Sequence, residues 1–394
     1  MTNWLLKIGL VVTPFILAPS GTDIAREPKM AWALCFALAI GLTALYQGLL
    51  KPFRNKWTLV LAGFCLLSFY LSPNPTLNLF GIASGRFWSW EGLYQVLVFL
   101  IFTITVASLE LSRKEANTII DIMVWCGLAM GVLVVLQAMH LDQFFKHRFG
   151  TYGHMCGTLG NPTLVSPYLA MIAPLALYRR RYLFAGVIAL ATCLTRSDVA
   201  LAGLVMGLVA YIALLGRKIL IVVSILVVLL GGFGIYCYGN SPELRQKFPD
   251  NERFLTWTQS ITDLKTPPMR DSKKAYAITG LGMGSFKYLF HVKNNPHNDN
   301  FLYAHNDYVQ VAYELGIAGF FIFIAMILVM LRDRVWRQLI DHRRRALTAS
   351  FISIATCAMG SFVFQIGTHI FYTLTIVGLL YNEGLNGNGK VQDI

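Results

Sequence analysis

Long apolar stretches alternate with short polar ones along most of the chain. A helix needs about 20 mostly apolar residues to cross the hydrocarbon core of a bilayer, with a range of roughly 17–25. The apolar stretches that lie between charges, Pro and Gly therefore predict about twelve transmembrane helices. Their predicted ranges are 4–19, 30–50, 57–72, 90–110, 117–140, 163–178, 182–195, 198–215, 218–236, 306–331, 347–366 and 369–384. The pattern indicates an all-α polytopic membrane protein in which residues 1–394 form a single integral membrane domain.

The composition supports this class. Of the 394 residues, 56% are hydrophobic and 13% are charged, whereas soluble domains carry roughly 45–50% apolar and about 25% charged residues. So few charges cannot cover the surface of a soluble fold of this length, and disordered or fibrous chains are excluded as well. Residues 15–20 make a poor signal-peptide cleavage site, so we interpret the first apolar stretch as a permanent helix.

The distribution of positive charge predicts an orientation. The net charge is +13, and the Lys and Arg residues fall in short clusters between apolar stretches instead of forming one basic surface, which argues against nucleic-acid binding. With the N-terminus in the cytoplasm, the predicted inside loops hold sixteen Lys and Arg residues and the short outside loops hold six. Cytoplasmic loops of membrane proteins carry such an excess, so we expect both termini in the cytoplasm.

Residues 237–304 interrupt the apolar pattern with a long polar stretch on the predicted outer side. Unstructured stretches of this length are usually functional or disordered, and long loops cross membranes largely regardless of charge. We expect a large outer loop that contains short helices over 252–264 and 283–290. Cys156 and Cys237 lie outside the predicted spans, which leaves a disulfide between them open.

Polar residues gather where the predicted helices meet the outer side. Taken singly, each has an ordinary explanation: an arginine at a membrane boundary extends to the interface, a glycine string makes a tight turn, and a histidine is usually structural. Glu314 is harder to explain, because an ionisable group at the mouth of a span is costly unless it is paired. The candidate residues are Arg196, Arg253, Trp257, Gly282, Gly284, His305, Asn306, Tyr308, Gln310 and Glu314.

Together these residue types point to chemistry on a phosphorylated substrate. Guanidinium groups bind phosphate oxygens through two hydrogen bonds at once, and a neutral histidine can take a proton from a hydroxyl group. The sequence contains no paired carboxylates and no His/Cys cluster with metal-ligand spacing. We therefore expect no metal and no cofactor.

These motifs resemble the O-antigen ligase and polymerase superfamily of bacterial polysaccharide enzymes. The resemblance covers roughly residues 155–325, and any one motif is degenerate, whereas their order and spacing together are fairly specific. The matching segments are His305-Asn306 followed nine residues later by Gly316-Ile-Ala-Gly319, Arg253 with Trp257, Gly282-Met-Gly284-Ser-Phe286, and Gly157-Thr-Leu-Gly160-Asn161-Pro162 before Tyr168-Leu-Ala-Met.

The resemblance implies a GT-C-like glycosyltransferase of the bacterial inner membrane with a periplasmic active site. Its donor would be a glycan on undecaprenyl pyrophosphate and its acceptor a hydroxyl of lipid A–core or of a growing glycan, with membrane lipids around it. A compatible mechanism makes His305 the base in a single inverting displacement, with Arg253 and Arg196 on the pyrophosphate. Asn306 or Glu314 would orient the ring or the acceptor.

The chain departs from the family pattern in one turn. The family often reads Thr-x-Ser-Arg before the eighth span, whereas this chain reads Thr195-Arg196-Ser197-Asp198. Arg196 would fill the same space from a shifted register, or else the first phosphate contact is weakened.

Three alternatives stay open. Within the enzyme class, an O-antigen ligase is favoured over an O-antigen polymerase or another surface-polysaccharide ligase, because the chain has no large extra periplasmic domain. The alternative from another class is a membrane transporter, which would favour charged or broken helices at the bilayer midplane and repeated halves. The sequence does not identify the sugars or the acceptor.

Overall fold

The computed structural model describes residues 1–17, 25–51, 56–72, 83–84, 87–88, 92–142, 155–216, 219, 252–265, 276–286, 290, 303–335 and 341–382. Within these ranges the chain is helical, except for the antiparallel two-residue strands β1 (Ala83–Ser84) and β2 (Phe87–Trp88) and the intervening turns. The helices are α1 (Thr2–Phe15), α2 (Arg26–Tyr46), α3 (Lys56–Leu71), α4 (Leu93–Ser108), α5 (Arg113–Ala138), α6 (Pro162–Tyr178), α7 (Tyr182–Leu194), α8 (Asp198–Ala213), α9 (Glu252–Lys265), α10 (Tyr276–Thr279), α11 (Asp307–Val335), α12 (His342–Cys357) and α13 (Gly367–Tyr381).

Most of the predicted spans coincide with these helices to within a few residues at each end, and the short helix expected over 252–264 is α9. The helix expected over 283–290 falls partly outside the described residues, at 287–289. The predicted span over 218–236 lies outside the described residues. The boundaries predicted for 347–366 are wrong, because α12 begins at His342 and ends at Cys357. The helix includes three arginines that the apolarity criterion excluded, and the residues after Cys357 form turns and a short 3₁₀ helix (Val363–Gln365) instead.

The helices have the dimensions and surface of a membrane-embedded protein. Three are long and apolar enough to cross a bilayer, namely Arg26–Tyr46, Arg113–Ala138 and Asp307–Arg332, and six shorter apolar helices accompany them. Large apolar side chains such as Leu45 and Leu183 are 63% and 77% exposed on the outer faces of helices. Lipid would cover such side chains, so the chain is a helical membrane protein.

Side-chain caps fix where several helices begin. Ser112 and Glu115 form a capping box at the start of α5, and Asn161 caps α6 directly before Pro162. Ser197 accepts a hydrogen bond from a backbone N–H in the first turn of α8. These side chains satisfy N–H groups that no intrahelical carbonyl can reach.

Helix α12 packs along α8 and α6, and its C-terminal end lies at the candidate site. Gly203 and Gly207 of α8 face Cys357 and Ser353 of α12 so closely that a Cβ at either glycine would overlap them. Small residues at this four-residue spacing allow two membrane helices to approach closely.

The ends of α12 define two poles of the molecule. Its C-terminal end meets the start of α11, where the Asp307 N–H donates to the Ala358 carbonyl at 2.9 Å. We call this end the His305 pole. The N-terminal end of α12 carries Arg343, Arg344 and Arg345, and we call it the arginine pole. A helix of this length separates the two poles by about 24 Å.

Candidate functional site

His305 lies in the turn that leads into α11. Its backbone has a φ of 51°, in the left-handed region that a non-glycine residue occupies at a cost of about 1–3 kcal/mol. The imidazole packs edge-on against the ring of Phe362, with 4.9 Å between the ring centroids. The strained turn therefore directs the ring toward the segment that follows α12.

The surroundings of His305 favour the neutral imidazole. Burial lowers its pKa, and the positive charge of Arg253 lowers it further, from 6.5 to about 4. Both effects act against the imidazolium, because burial removes water from the charge and the guanidinium repels it. At neutral pH the ring is therefore uncharged and has a lone pair that can accept a proton.

Arg253 and Trp257 attach α9 to the His305 pole. The Arg253 Nη1 donates to the Gly360 carbonyl at 3.1 Å, and the Trp257 Nε1 donates to the Ala304 carbonyl at 2.7 Å. The two residues lie one turn apart on α9, so a single helix face contacts both the segment before α11 and the segment after α12. The structure thus brings Arg253, Trp257 and His305 to the same pole.

The turns after α12 form the wall of the site. The Phe364 N–H donates to Asp307 Oδ2 at 3.0 Å, and Asp307 is 2% exposed. Together with the bond to Ala358, this holds the 358–364 segment against the start of α11, while the Arg253 bond to Gly360 joins the same segment to α9. Apolar composition assigned these residues to a membrane helix, whereas their carbonyls serve here as acceptors.

Asn306 and Tyr308 hold the turn in place. The Asn306 Oδ1 accepts hydrogen bonds from the backbone N–H groups of Tyr308 at 3.0 Å and Val309 at 3.2 Å. This is the geometry of a helix N-cap. The Tyr308 hydroxyl donates to the Ala355 carbonyl of α12 at 2.9 Å. The geometry gives both residues a positioning role beside the histidine.

The glycine string packs against a break in α11. Gly316 has a φ of 67° and interrupts the helix, and the Gly282 N–H donates to the Glu314 carbonyl at 2.8 Å. A Cβ on Gly280 or Gly316 would overlap backbone atoms of the opposite segment. The N–H of Gly282 is therefore used within the protein, and Gly282 and Gly284, with φ values of 97° and 74°, shape the turn.

Replacing Gly316 by alanine is expected to destabilise the protein more than any exposed glycine replacement. The backbone at φ 67° and ψ −176° is a conformation that essentially only glycine adopts, and it costs an L-residue about 1–3 kcal/mol. The overlap with Ile278 adds to this cost. Thermal unfolding in detergent measures the effect. Gly63→Ala is the matched control, because this helical glycine has open space around it and alanine there stabilises a helix by about 1 kcal/mol. Equal melting temperatures for the two variants would contradict the prediction.

Glu314 and Gln310 lie on a different face of α11 from Tyr308. The Gln310 Nε2 donates to Glu314 Oε1 at 3.1 Å, and the two side chains are 2% and 3% exposed. Together with Asp307 they line a cavity of about 260 Å³ between α3, α4, α11, α12 and α13. The rest of its lining is mostly apolar, and Arg253 and His305 do not belong to it. The predicted site residues therefore divide between the His305 turn and this cavity.

Arg196 lies in the turn between α7 and α8, with an exposed side chain and a φ of 54°. The turn reaches the His305 pole, because Val199 contacts Gly360, whose carbonyl binds Arg253. This turn therefore lies beside the site, and none of the contacts among the described residues links the Arg196 guanidinium directly to His305.

Four residues at this pole were missed as site residues. The Arg26 guanidinium lies 5.0 Å from the centre of the Tyr303 ring, and that ring stacks on Phe362 at 4.5 Å. Through Tyr303 and Phe362, Arg26 is connected to the His305 ring and adds a further cation to this pole. The fourth missed residue is Gly360, whose carbonyl accepts the hydrogen bond of Arg253. The only signal in the sequence is the position of Arg26 in a predicted outside loop, because the other contacts join segments remote along the chain.

Among the described residues, no group of three or more His, Cys, Asp and Glu side chains is placed to hold a metal ion. Cys156 has a free, buried thiol, and Cys237 lies outside the described residues. The chain matches no family model and no curated protein. The resemblance to the O-antigen ligase and polymerase superfamily therefore depends on the sequence motifs.

Proposed function

We propose that the chain is a twelve-span glycosyltransferase of the bacterial inner membrane, with the His305 pole in the periplasm and both termini in the cytoplasm. It would transfer a glycan from undecaprenyl pyrophosphate to a hydroxyl of lipid A–core, as an O-antigen ligase does. The orientation is supported by the excess of Lys and Arg in the predicted inside loops.

One observation carries the proposal: a guanidinium group and a neutral imidazole lie at the same pole, held by the same turns. The charge of Arg253 acts on the His305 ring, and both residues contact the 360–362 segment. Transfer from a sugar diphosphate needs a cation for the leaving group and a base for the acceptor. Arginine can meet the first need without a metal ion.

In the proposed step, the His305 imidazole takes the proton of the acceptor hydroxyl. The acceptor oxygen attacks the anomeric carbon of the donor sugar as the bond from that carbon to the diphosphate oxygen breaks. The electron pair leaves with the lipid diphosphate, and Arg253, with Arg196 from the neighbouring turn, stabilises its growing charge. The imidazolium then returns its proton to solvent. A single displacement inverts the anomeric configuration.

The cavity beside the turn suits the first isoprene units of the donor's polyprenyl chain, because its volume of about 260 Å³ is too small for the whole chain. Its lining includes Asp307, two residues after His305, and its walls are mostly apolar. Ligand cavities that hold apolar chains combine such walls with a few polar groups at one end. Asp307 and Gln310 would mark the end nearest the diphosphate.

Reconstituted transfer tests the proposal. The protein in proteoliposomes receives a glycan on undecaprenyl pyrophosphate together with lipid A–core, and product formation is followed by gel shift and mass spectrometry. A ligated lipid A–core supports the ligase, a lengthened glycan on the donor lipid supports the polymerase, and another surface acceptor supports a related ligase. No product with any of these acceptors would contradict a transferase.

The cavity also favours a second candidate, a membrane transporter. Glu314 lies two turns inside α11 with 3% exposure, and the helix breaks at Gly316, which are features that transporters use at their binding sites. Solute uptake by proteoliposomes that is lost in Glu314→Gln, without transfer activity in the same preparation, would favour transport.

A further inference from the structure

Arg26 brings a second cation to the His305 pole from a distant part of the sequence. It is the first residue of α2, and its side chain is half-buried. The guanidinium lies over the Tyr303 ring, and each step from there through Phe362 to the imidazole of His305 is 5.0 Å or shorter. The Tyr303 ring is 4% exposed, so Arg26 packs on the interior of this pole.

The start of α2 is anchored against the wall of the site. Lys29, one turn after Arg26, is 0% exposed, and its Nζ donates to the Ile16 carbonyl at 2.5 Å. A Cβ on Gly367 would overlap the Lys29 carbonyl, which places this turn directly against the start of α13. Because α13 follows the segment that contacts His305, the backbone of Arg26 has a fixed position beside the site.

The glycine turn before α6, one of the segments that carry the resemblance, supports the same anchor. The Thr158 hydroxyl donates to the Pro14 carbonyl at 2.5 Å, near the end of α1. The buried side chain of Cys156 packs with Ala25, the residue before Arg26. This turn therefore holds the end of α1 and the start of α2 together, which gives the segment a positioning role for Arg26.

The two arginines approach the His305 turn from different helices. Arg253 is the nearer to the imidazole, because its charge acts on the ring directly, whereas two aromatic rings separate Arg26 from it. The N-terminus of α2 adds partial positive charge beside Arg26. A guanidinium group has five N–H donors, so contacts that Arg26 makes elsewhere leave donors for phosphate oxygens. Two such cations can bind the two phosphates of one diphosphate.

We propose that Arg26 binds the phosphate next to the polyprenyl chain of the donor, while Arg253 binds the phosphate next to the sugar. This inference rests on the proposed function and adds a substrate-binding residue to it. Arg26 would hold the diphosphate in place while charge grows on the phosphate at Arg253. It would also select diphosphates over monophosphates, because a single phosphate reaches only one of the two cations.

Farnesyl diphosphate and farnesyl monophosphate, two short soluble polyprenyl phosphates, test the proposal. Isothermal titration of the full-length protein in an uncharged detergent measures both affinities. We expect the wild-type protein to bind the diphosphate at least about tenfold more tightly, because a charge-assisted hydrogen bond contributes a factor of this size or more. Arg26→Gln should lose most of this ratio through weaker diphosphate binding. Arg26→Lys, which keeps the charge without the planar fork, should lose part of it.

The matched control is Arg180→Gln, which removes an exposed arginine near the arginine pole and should keep the wild-type ratio. The inference is overturned by a wild-type ratio in Arg26→Gln or by an equal fall in Arg180→Gln. Phosphatidylglycerol forms a separate arm. If it displaces farnesyl diphosphate from the wild-type protein but not from Arg26→Gln, Arg26 binds a phospholipid headgroup and the assignment fails. Should Arg26→Gln not fold, an unchanged ratio in Arg26→Lys would overturn the inference.

Failure of this inference is distinguishable from failure of the proposed function. Normal glycan transfer together with diphosphate binding that does not depend on Arg26 overturns the inference alone. Diphosphate binding that depends on Arg26, in a protein that transfers no glycan, supports the inference and rejects the transferase. A wild-type protein that binds the two farnesyl phosphates equally contradicts both.

Discussion

Replacing His305 by alanine is expected to lower glycan transfer by about 10²- to 10⁴-fold, the usual contribution of a positioned general base. In the proposed mechanism the imidazole takes the acceptor proton, and its pKa of about 4 keeps it neutral at working pH. Rates in proteoliposomes containing equal amounts of purified protein measure the effect. Melting temperatures should fall modestly, because alanine loses the edge contact with Phe362 and occupies the left-handed region less readily than histidine does.

The His305 backbone lies in the left-handed region. A second variant is therefore needed to separate the effect of backbone strain from the loss of the base. Asparagine tolerates the left-handed region, so His305→Asn keeps the turn and removes the base, and it should be as inactive as His305→Ala. His140 provides the matched control, because it also has a left-handed backbone, with a φ of 59°, and an exposed side chain. His140→Ala should transfer glycan normally. Near-normal turnover in either His305 variant would remove this residue from the mechanism.

The helices could be predicted where apolar composition alone decides the structure. Helices α4 and α6 have ends close to those expected, because Pro, Gly and charges bound their apolar stretches in the sequence. Prediction failed at α12, whose first turn contains three arginines that tertiary packing buries. The apolar composition of residues 358–366 also predicted a continuing helix, and this prediction was wrong. The carbonyls of Ala358 and Gly360 instead accept hydrogen bonds from the Asp307 N–H and from Arg253.

The candidate site was predictable in residue types and only partly in partners. The spacing of Arg253 and Trp257 indicates a shared helix face, and the structure places both at the His305 turn. Their acceptors, the carbonyls of Gly360 and Ala304, carry no signal in the sequence because every residue has a carbonyl. The glycine string, by contrast, predicts a tight turn, and in the structure the N–H groups of Leu281 and Gly282 donate to carbonyls of α11.

Arg253→Gln is expected to lower kcat/KM by about 10²- to 10³-fold, the typical cost of removing one donor to a developing anion. It should also move the acid limb of the pH profile. In the wild-type protein kcat/KM should fall as pH approaches 4, where His305 becomes protonated. Without the positive charge of Arg253 the imidazolium is less disfavoured, so the limb should move up toward 6.5 while burial keeps it below that value.

Lysine at the same position distinguishes charge from hydrogen bonding. Arg253→Lys keeps the positive charge beside His305, so its acid limb should stay near pH 4 even though the planar contact with Gly360 and with a diphosphate is lost. The exposed Arg180 provides the control, and Arg180→Gln should change neither rate nor profile. In the wild-type protein the limb of kcat should lie at higher pH than that of kcat/KM, because a bound diphosphate favours the imidazolium. If the glutamine and lysine variants instead share one acid limb, the charge of Arg253 does not set the protonation of His305, and the two residues do not act on one substrate.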